Sequence, residues 1–250
     1  MNGVRFEVMQ GRTDYASGTL VLRVSNESGS DVVVSDAALS WRGFAEPAEW
    51  DGPTDLPAGR TIDLRTSTPG MNCAEPADTA PNPTLSVMLG DAITRATPTD
   101  PLGTLPRLHD ATCITALVDR TVAIDLAGPL RIDGTGADAV AVLPLRFTAT
   151  GADGTVAVRG VSATPLLAPA GGTDSWPLSV TVTAASAVQV VDLEIRPARC
   201  DPHAITEDKI GTILVLSVDV DGRSGEYRYA VDDTTRNALY SFVTSVCAAP

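Results

Sequence analysis

Leu105-Pro106-Arg107-Leu108-His109-Asp110-Ala111-Thr112-Cys113 and Leu239-Tyr240-Ser241-Phe242-Val243-Thr244-Ser245-Val246-Cys247 each place a leucine eight residues before a cysteine and an apolar residue five before it. The match continues upstream. In the first half Asp63-Leu64 closes an apparent strand, Cys73 follows, and a hairpin-like stretch runs over residues 84–95. The second half repeats that order with Asp192-Leu193, Cys200 and a hairpin-like stretch over 212–230. A shared order of this kind is the signature of an internal repeat. At 250 residues the chain is long for one β-sandwich and comfortable for two domains of about 100–150 residues, each able to bury its own core. The repeat divides it into residues 1–115 and 116–250.

Four cysteines allow three pairings, and cysteine spacing alone does not choose among them. The repeat does: if each half is one domain, Cys73 pairs with Cys113 and Cys200 with Cys247. The rival reading is metal ligation. No C-x-x-C pair occurs, and His109 and His203 do not fall at equivalent repeat positions. Disulfides point to an oxidising compartment.

Between the cysteines the pattern is that of strands. Residues 4–8, 19–24 and 32–39 alternate or run apolar, and residues 25–30 (Ser-Asn-Glu-Ser-Gly-Ser) are turn chemistry. A proline-bearing excursion follows over 42–57, then a strand over 59–65. The second domain is expected to open with a strand over 118–126, followed by strands near 139–148, 155–163, 178–183 and 188–195. Residues 151–154 (Gly-Ala-Asp-Gly) are expected to form a hairpin turn between two of them. Leu239, Phe242, Val243 and Val246 recur at i, i+3, i+4 and i+7, which predicts an amphipathic helix with Asp233 or Thr234 as its N-cap. Its counterpart around Pro106 is expected to be shorter, about one turn. The fold class is therefore all-β: two tandem immunoglobulin-like β-sandwich domains, each ending in a short helical segment tied back by a disulfide. Residues 113–118 contain no flexible linker composition, so the domains are expected to abut.

A net charge of −13 sets the chain's field against phosphate backbones and anionic headgroups, which excludes nucleic acid as a partner class. No run of about 18 apolar residues occurs, so no direct membrane span is expected. Met1-Asn2-Gly3-Val4-Arg5 lacks the charged and apolar regions of a signal peptide, and Met1 is read as the start of a mature domain.

Arg199-Cys200-Asp201-Pro202-His203-Ala204, continuing through Glu207-Asp208-Lys209 to Gly211-Thr212, resembles a motif of an uncharacterised family of actinobacterial secreted or membrane-anchored envelope proteins. Residues 20–26 (Leu-Val-Leu-Arg-Val-Ser-Asn) and Leu56-Pro57-Ala58-Gly59 look like the same family. The resemblance implies an extracytoplasmic location, with secretion or anchoring through a segment absent from this chain. It carries no activity with it.

Candidate chemistry is sparse. His203 with Glu207 and Asp208 forms a polar cluster that could bind a metal or transfer protons, though its spacing matches no zinc or copper signature. A backbone-bonded loop histidine is the plainer reading. Asp219-Val220-Asp221-Gly222-Arg223-Ser224-Gly225-Glu226 looks like a calcium loop, but Val218 and Val220 alternate with Asp219 and Asp221 as a strand entering a turn requires. No serine sits in a G-x-S-x-G elbow, and Gly134-Thr135-Gly136-Ala137-Asp138 lacks the third glycine of a nucleotide loop. Trp41, Phe44 and Trp50, spread along the proline-bearing excursion, are a candidate partner-binding loop, against the alternative that they fold back on the sheet. The expectation is a non-catalytic binding or structural module of the cell envelope, without cofactor, catalytic residue or resident metal. Its partner would be an unidentified protein or cell-surface polymer.

Overall fold

The computed structural model describes residues 3–15, 17–74, 82–201 and 210–249. The chain divides into two compact units, Met1–Cys113 and Ile114–Pro250.

The first unit contains β1 (Val4–Met9), a one-turn α1 (Arg12–Tyr15), β2 (Thr19–Asn26), β3 (Val32–Ser40), β4 (Ala48–Leu56), β5 (Thr61–Ser67), β6 (Thr84–Leu89) and β7 (Ala92–Ala96), and it takes the start of α2 (Thr104–Thr121). Its strands form two antiparallel sheets, ordered β1-β2-β5 and β4-β3-β6-β7. The second unit contains β8 (Val122–Leu126), β9 (Arg131–Asp133), β10 (Val140–Ala149), β11 (Thr155–Ser162), β12 (Leu167–Pro169), β13 (Ser175–Thr183), β14 (Gln189–Pro197), β15 (Ile213–Val220), β16 (Arg223–Ala230) and α3 (Asp233–Ala248). Its sheets are ordered β12-β14-β10-β8, with β9 also on β10, and β13-β11-β15-β16.

Laid over one another, β1-β2-β5 corresponds to β8-β10-β14, and β4-β3-β6-β7 to β13-β11-β15-β16. The duplication therefore governs strand order and not only cysteine spacing. It extends to a defect. β3 shifts register against both its neighbours between Val34 and Asp36, and β11 does so between Val158 and Gly160. A bulge bends and twists the strand that carries it. In β11 it brings backbones so close that a Cβ on Gly160 would lie 2.9 Å from the Trp176 carbonyl oxygen.

Each core is built by period-two alternation on facing sheets. In the first unit Phe6 and Val8, Leu20, Leu22 and Val24, Leu39, Leu56, Leu85 and Val87 are buried together. In the second, Leu143, Leu145 and Phe147 on β10 meet Val156, Val158, Leu214, Leu216 and Val218. Trp176 on β13 is 6% exposed, and its indole Nε1 donates to the Glu194 carbonyl of β14 at 2.8 Å, joining the two sheets by a directed bond. On the outer faces, Arg23 makes a two-pronged bond to Asp63 at 2.7 and 2.9 Å and Arg146 to Asp125 at 2.7 and 3.0 Å. Disulfides join Cys73 to Cys113 and Cys200 to Cys247, one within each unit.

Five expectations are corrected. Residues 151–154 are not a hairpin turn: the strands they join, β10 and β11, lie in different sheets, so the turn carries the chain from one sheet to the other. The first-half helix is not one turn: α2 runs 18 residues, passes through Cys113 and continues to Thr121. Its start is set by Asp100, whose carboxylate accepts from the Thr104 and Leu105 amides at 2.7 and 2.9 Å, and Pro106 falls in the first turn where it breaks no bond. The strand expected over 118–126 accordingly begins only at Val122, because Val118 is a helical core residue. The excursion over 42–57 contains a full strand, β4. It is an edge strand, and Gly52-Pro53 sits opposite the β3 bulge where no ladder bond is required of it. The N-cap of α3 is Asp232, which accepts from the Thr235 amide at 2.8 Å, rather than Asp233 or Thr234.

The second half of α2 seats in the second unit. Ile114 and Val118 join its core, and the Tyr227 hydroxyl donates to Asp119 at 2.7 Å. Gly225 on β16 leaves room for Ile114, whose side chain would otherwise meet a Cβ at 2.8 Å.

Candidate functional site

The side chains that sequence reading singled out in the first unit converge, but not as a projecting loop. Residues 41–45 are zipped to residues 70–72. The Ala45 amide donates to Gly70 at 2.8 Å, the Asn72 amide to Gly43 at 2.8 Å, and Phe44 forms an isolated bridge with Met71. Phe44 is 5% exposed and belongs to the core, while Trp41 and Trp50 are half-buried and pack against it. The Trp41 ring meets Phe44 edge-on at 5.2 Å and lies so close over Gly43 that any Cβ there would collide with it at 2.3 Å. The aromatic stretch thus faces inward, and Phe44 has almost no surface to offer a partner.

Trp41 meets His109 of α2 on another side, at 5.8 Å between ring centroids. His109 is 1% exposed. Its Nε2 lies 3.1 Å from the Asn72 carbonyl oxygen and 3.7 Å from Cys113 Sγ. A carbonyl can only accept, so this geometry assigns the proton to Nε2. Nδ1 has no hydrogen-bond partner among the described residues, although Asp110 Oδ1 lies 3.5 Å away without bonding geometry. Cys113 is 1% exposed, whereas Cys73 is half-buried. The result is a buried imidazole between an aromatic ring and a disulfide. Sequence reading weighed His109 as a metal ligand and missed this placement. The available signal was its position one helical turn before Cys113, on the same stripe as Leu105.

His203, Glu207 and Asp208 lie outside the described residues. Of their flanks, Cys200 is exposed and Cys247 Sγ approaches the Arg199 carbonyl at 3.9 Å. The acids of residues 219–226 hold a hairpin turn. Asp221 at φ 50° and Gly222 at φ 85° give the left-handed pair that a two-residue turn needs. Asp219 accepts from the Gly222 amide and the Ser224 hydroxyl, and Asp221 accepts from the Thr155 amide at 2.8 Å. These carboxylates are spent on backbone and hydroxyl donors.

In the second unit a groove of about 430 Å³ runs between α3 and residues 132–139. Ile132 (55% exposed), Ala139, Ala238, Phe242 and Val246 give it apolar walls, and Thr135, Ser241 and Ser245 add hydroxyls. Residues 134–138, weighed above as a nucleotide loop, form one wall through a short 3-10 turn with no buried residue. A shallower hollow of about 290 Å³ lies beside Trp176 between β13 and β14.

No family model matches the chain, and no curated protein matches it. Among solved structures it is similar to a red sea bream transglutaminase (12% identity, TM-score 0.27, covering 93% of this chain and 32% of that one). It is also similar to the BSP domain of a biofilm-associated protein (8% identity, TM-score 0.21, 93% and 59% covered) and to a B domain of a biofilm-associated protein (7% identity, TM-score 0.24, 93% and 83% covered). The chain spans about a third of the transglutaminase chain and about three-fifths of the BSP-domain chain. Likeness of this degree speaks to neither activity nor partner.

Proposed function

We propose that this chain is a non-catalytic extracytoplasmic binding module of the cell envelope. The observation that carries the reading is the pair of disulfides, one at the same place in each repeat, a bond that forms and persists in oxidising compartments and is rare in reducing ones. The groove beside α3 is the recognition surface in this reading. Its apolar walls and flanking hydroxyls suit an apolar side chain of a protein partner. A charge of −13 sets the surface against anionic polymers. Kinship with actinobacterial envelope proteins, on the motif around Cys200, belongs to the same proposal.

The test has two arms. Protein exported to an oxidising compartment should have an intact mass lower by four hydrogens, with cysteines paired within each half and no bound metal. Free thiols with stoichiometric metal would instead start the reading again from His203, Glu207 and Asp208. Envelope proteins captured on the intact chain should be lost with Ala238→Arg, which puts a guanidinium into the groove wall. Capture that survives this change counts against the groove.

A further inference from the structure

The duplication supplies its own control for His109. Four residues before its cysteine, the first unit has His109 and the second has Val243, both buried, at 1% and 0% exposure. Valine satisfies the packing of that position in one repeat. The other repeat holds an imidazole there, with one nitrogen unpartnered among the described residues and the other facing a disulfide sulfur at 3.7 Å. A buried polar atom without a partner is destabilising, so packing alone does not account for histidine at this site.

We infer that Cys73–Cys113 is a covalent exchange site for thiols, at which Cys73 receives the incoming sulfur and His109 stabilises Cys113 as the leaving thiolate. The asymmetry of burial fixes the direction. Cys113 is enclosed and Cys73 is half-open, so an external thiolate reaches Cys73 Sγ. Its sulfur bonds to Cys73 Sγ, the bond between Cys73 and Cys113 breaks, and the electron pair stays on Cys113 Sγ. His109 Nε2–H turns from the Asn72 carbonyl to that thiolate, a displacement its present distances of 3.1 and 3.7 Å keep small. A monothiol stops there, as a mixed disulfide on Cys73. A dithiol goes on: its second thiolate attacks the first reagent sulfur and releases Cys73. The dithiol then leaves oxidised by two electrons; one of its two protons ends on Cys73 and the other in solvent, with Cys113 held as the thiolate. A thiolate that keeps a hydrogen bond leaves faster, and a tenfold change in rate corresponds to about 1.4 kcal/mol in the barrier. The Cys200–Cys247 bond is the more exposed of the two and has valine in place of the imidazole, so it opens by access alone.

The experiment is a time course of the folded full chain in glutathione at neutral pH, quenched in acid, alkylated and mapped by peptide mass. Glutathione should appear on Cys73 with Cys113 free. His109→Val should slow the opening of Cys73–Cys113 about tenfold and leave Cys200–Cys247 unchanged. His109→Gln, whose amide nitrogen reaches the place of Nε2, should retain more of the rate than valine. In the dithiol-reduced protein the ultraviolet thiolate absorbance assigned to Cys113 should fall with the same two substitutions in the same order. Glutathione on Cys113, or an opening rate unchanged or faster in His109→Val, overturns the inference; a faster rate is what a purely structural histidine gives. Should His109→Val fail to fold, the glutamine variant against wild type decides the question by the same rates.

Discussion

Removing one disulfide at a time should weaken one unit at a time. The closed loops span sequence separations of 40 and 47 residues. With a chain-entropy cost of 2.1 + 1.5R ln n cal/mol/K, each cross-link takes about 13 to 14 cal/mol/K from the unfolded ensemble, or about 4 kcal/mol at 25 °C. Domains of this size shift by a few degrees per kcal/mol, so each loss amounts to about 10–20 °C in midpoint. The two cores are separate sets of residues: Leu20, Leu22, Leu39 and Leu85 in one, Leu143, Leu145, Phe147 and Leu193 in the other. Calorimetry on Cys73→Ser with Cys113→Ser should therefore show one transition lowered and one retained. Cys200→Ser with Cys247→Ser should lower the other. Hydrogen exchange read on β2 and on β10 identifies which is which. If either double substitution lowers both transitions equally, or neither moves by more than about 1 kcal/mol, the assignment of one staple to each core is wrong.

Other outcomes can be checked on single substitutions. Phe147→Ala empties a fully buried site in the second core and should cost about 3–5 kcal/mol in urea unfolding. Trp176→Phe removes the indole donor from the Glu194 carbonyl, which keeps the Ala170 amide, and should cost about 0.5–1.5 kcal/mol by the same measurement. Gly160→Ala drives a Cβ against the Trp176 carbonyl and should destabilise by about 1–3 kcal/mol, while Gly171→Ala, with open space at its Cβ, should be neutral or slightly stabilising. The Thr235 amide bonded to Asp232 holds that carboxyl below the usual carboxylate range. A depressed folded value means the contribution is present above the ordinary carboxylate value and disappears as pH falls through the lowered one. Asp232→Ala should therefore fray α3 and destabilise at neutral pH, and its unfolding curve should converge with that of the wild type in acid.

Much of the fold was legible because alternation and duplication are strong signals. Leu143, Leu145 and Phe147 alternate cleanly, and the spacing of Leu105 and Leu239 from their cysteines aligned the two halves. What failed did so for local reasons. β4 was hidden by Gly52-Pro53, residues that normally end a strand but here sit across from a bulge at an edge. α2 was cut short because its buried residues serve two cores in turn, Leu105 the first and Ile114 and Val118 the second, so neither half sustains a long helical period. In the candidate site, the aromatic residues and the alternative that they fold back on the sheet were both legible, but not the backbone bonds to residues 70–72, far along the chain, that hold them there. His109 was visible as a residue and not as a neighbour of the disulfide, because that placement becomes clear only once the helix is known to run through Cys113.

The continuity of α2 also changes how the chain can be taken apart. Tandem modules are usually parted by a protease at the exposed segment that joins them. Here the division at Cys113 and Ile114 falls among helical residues, so the join offers no extended peptide to a cleavage site. Trypsin should spare Arg120, inside the helix, while it remains folded. A gene fragment begun at Val122, after the helix, would strip Ile114 and Val118 from the second module, whereas two fragments that both include Thr104–Thr121 would each keep the residues their own core requires. The shared helix marks this pair as modules to be dissected by overlap.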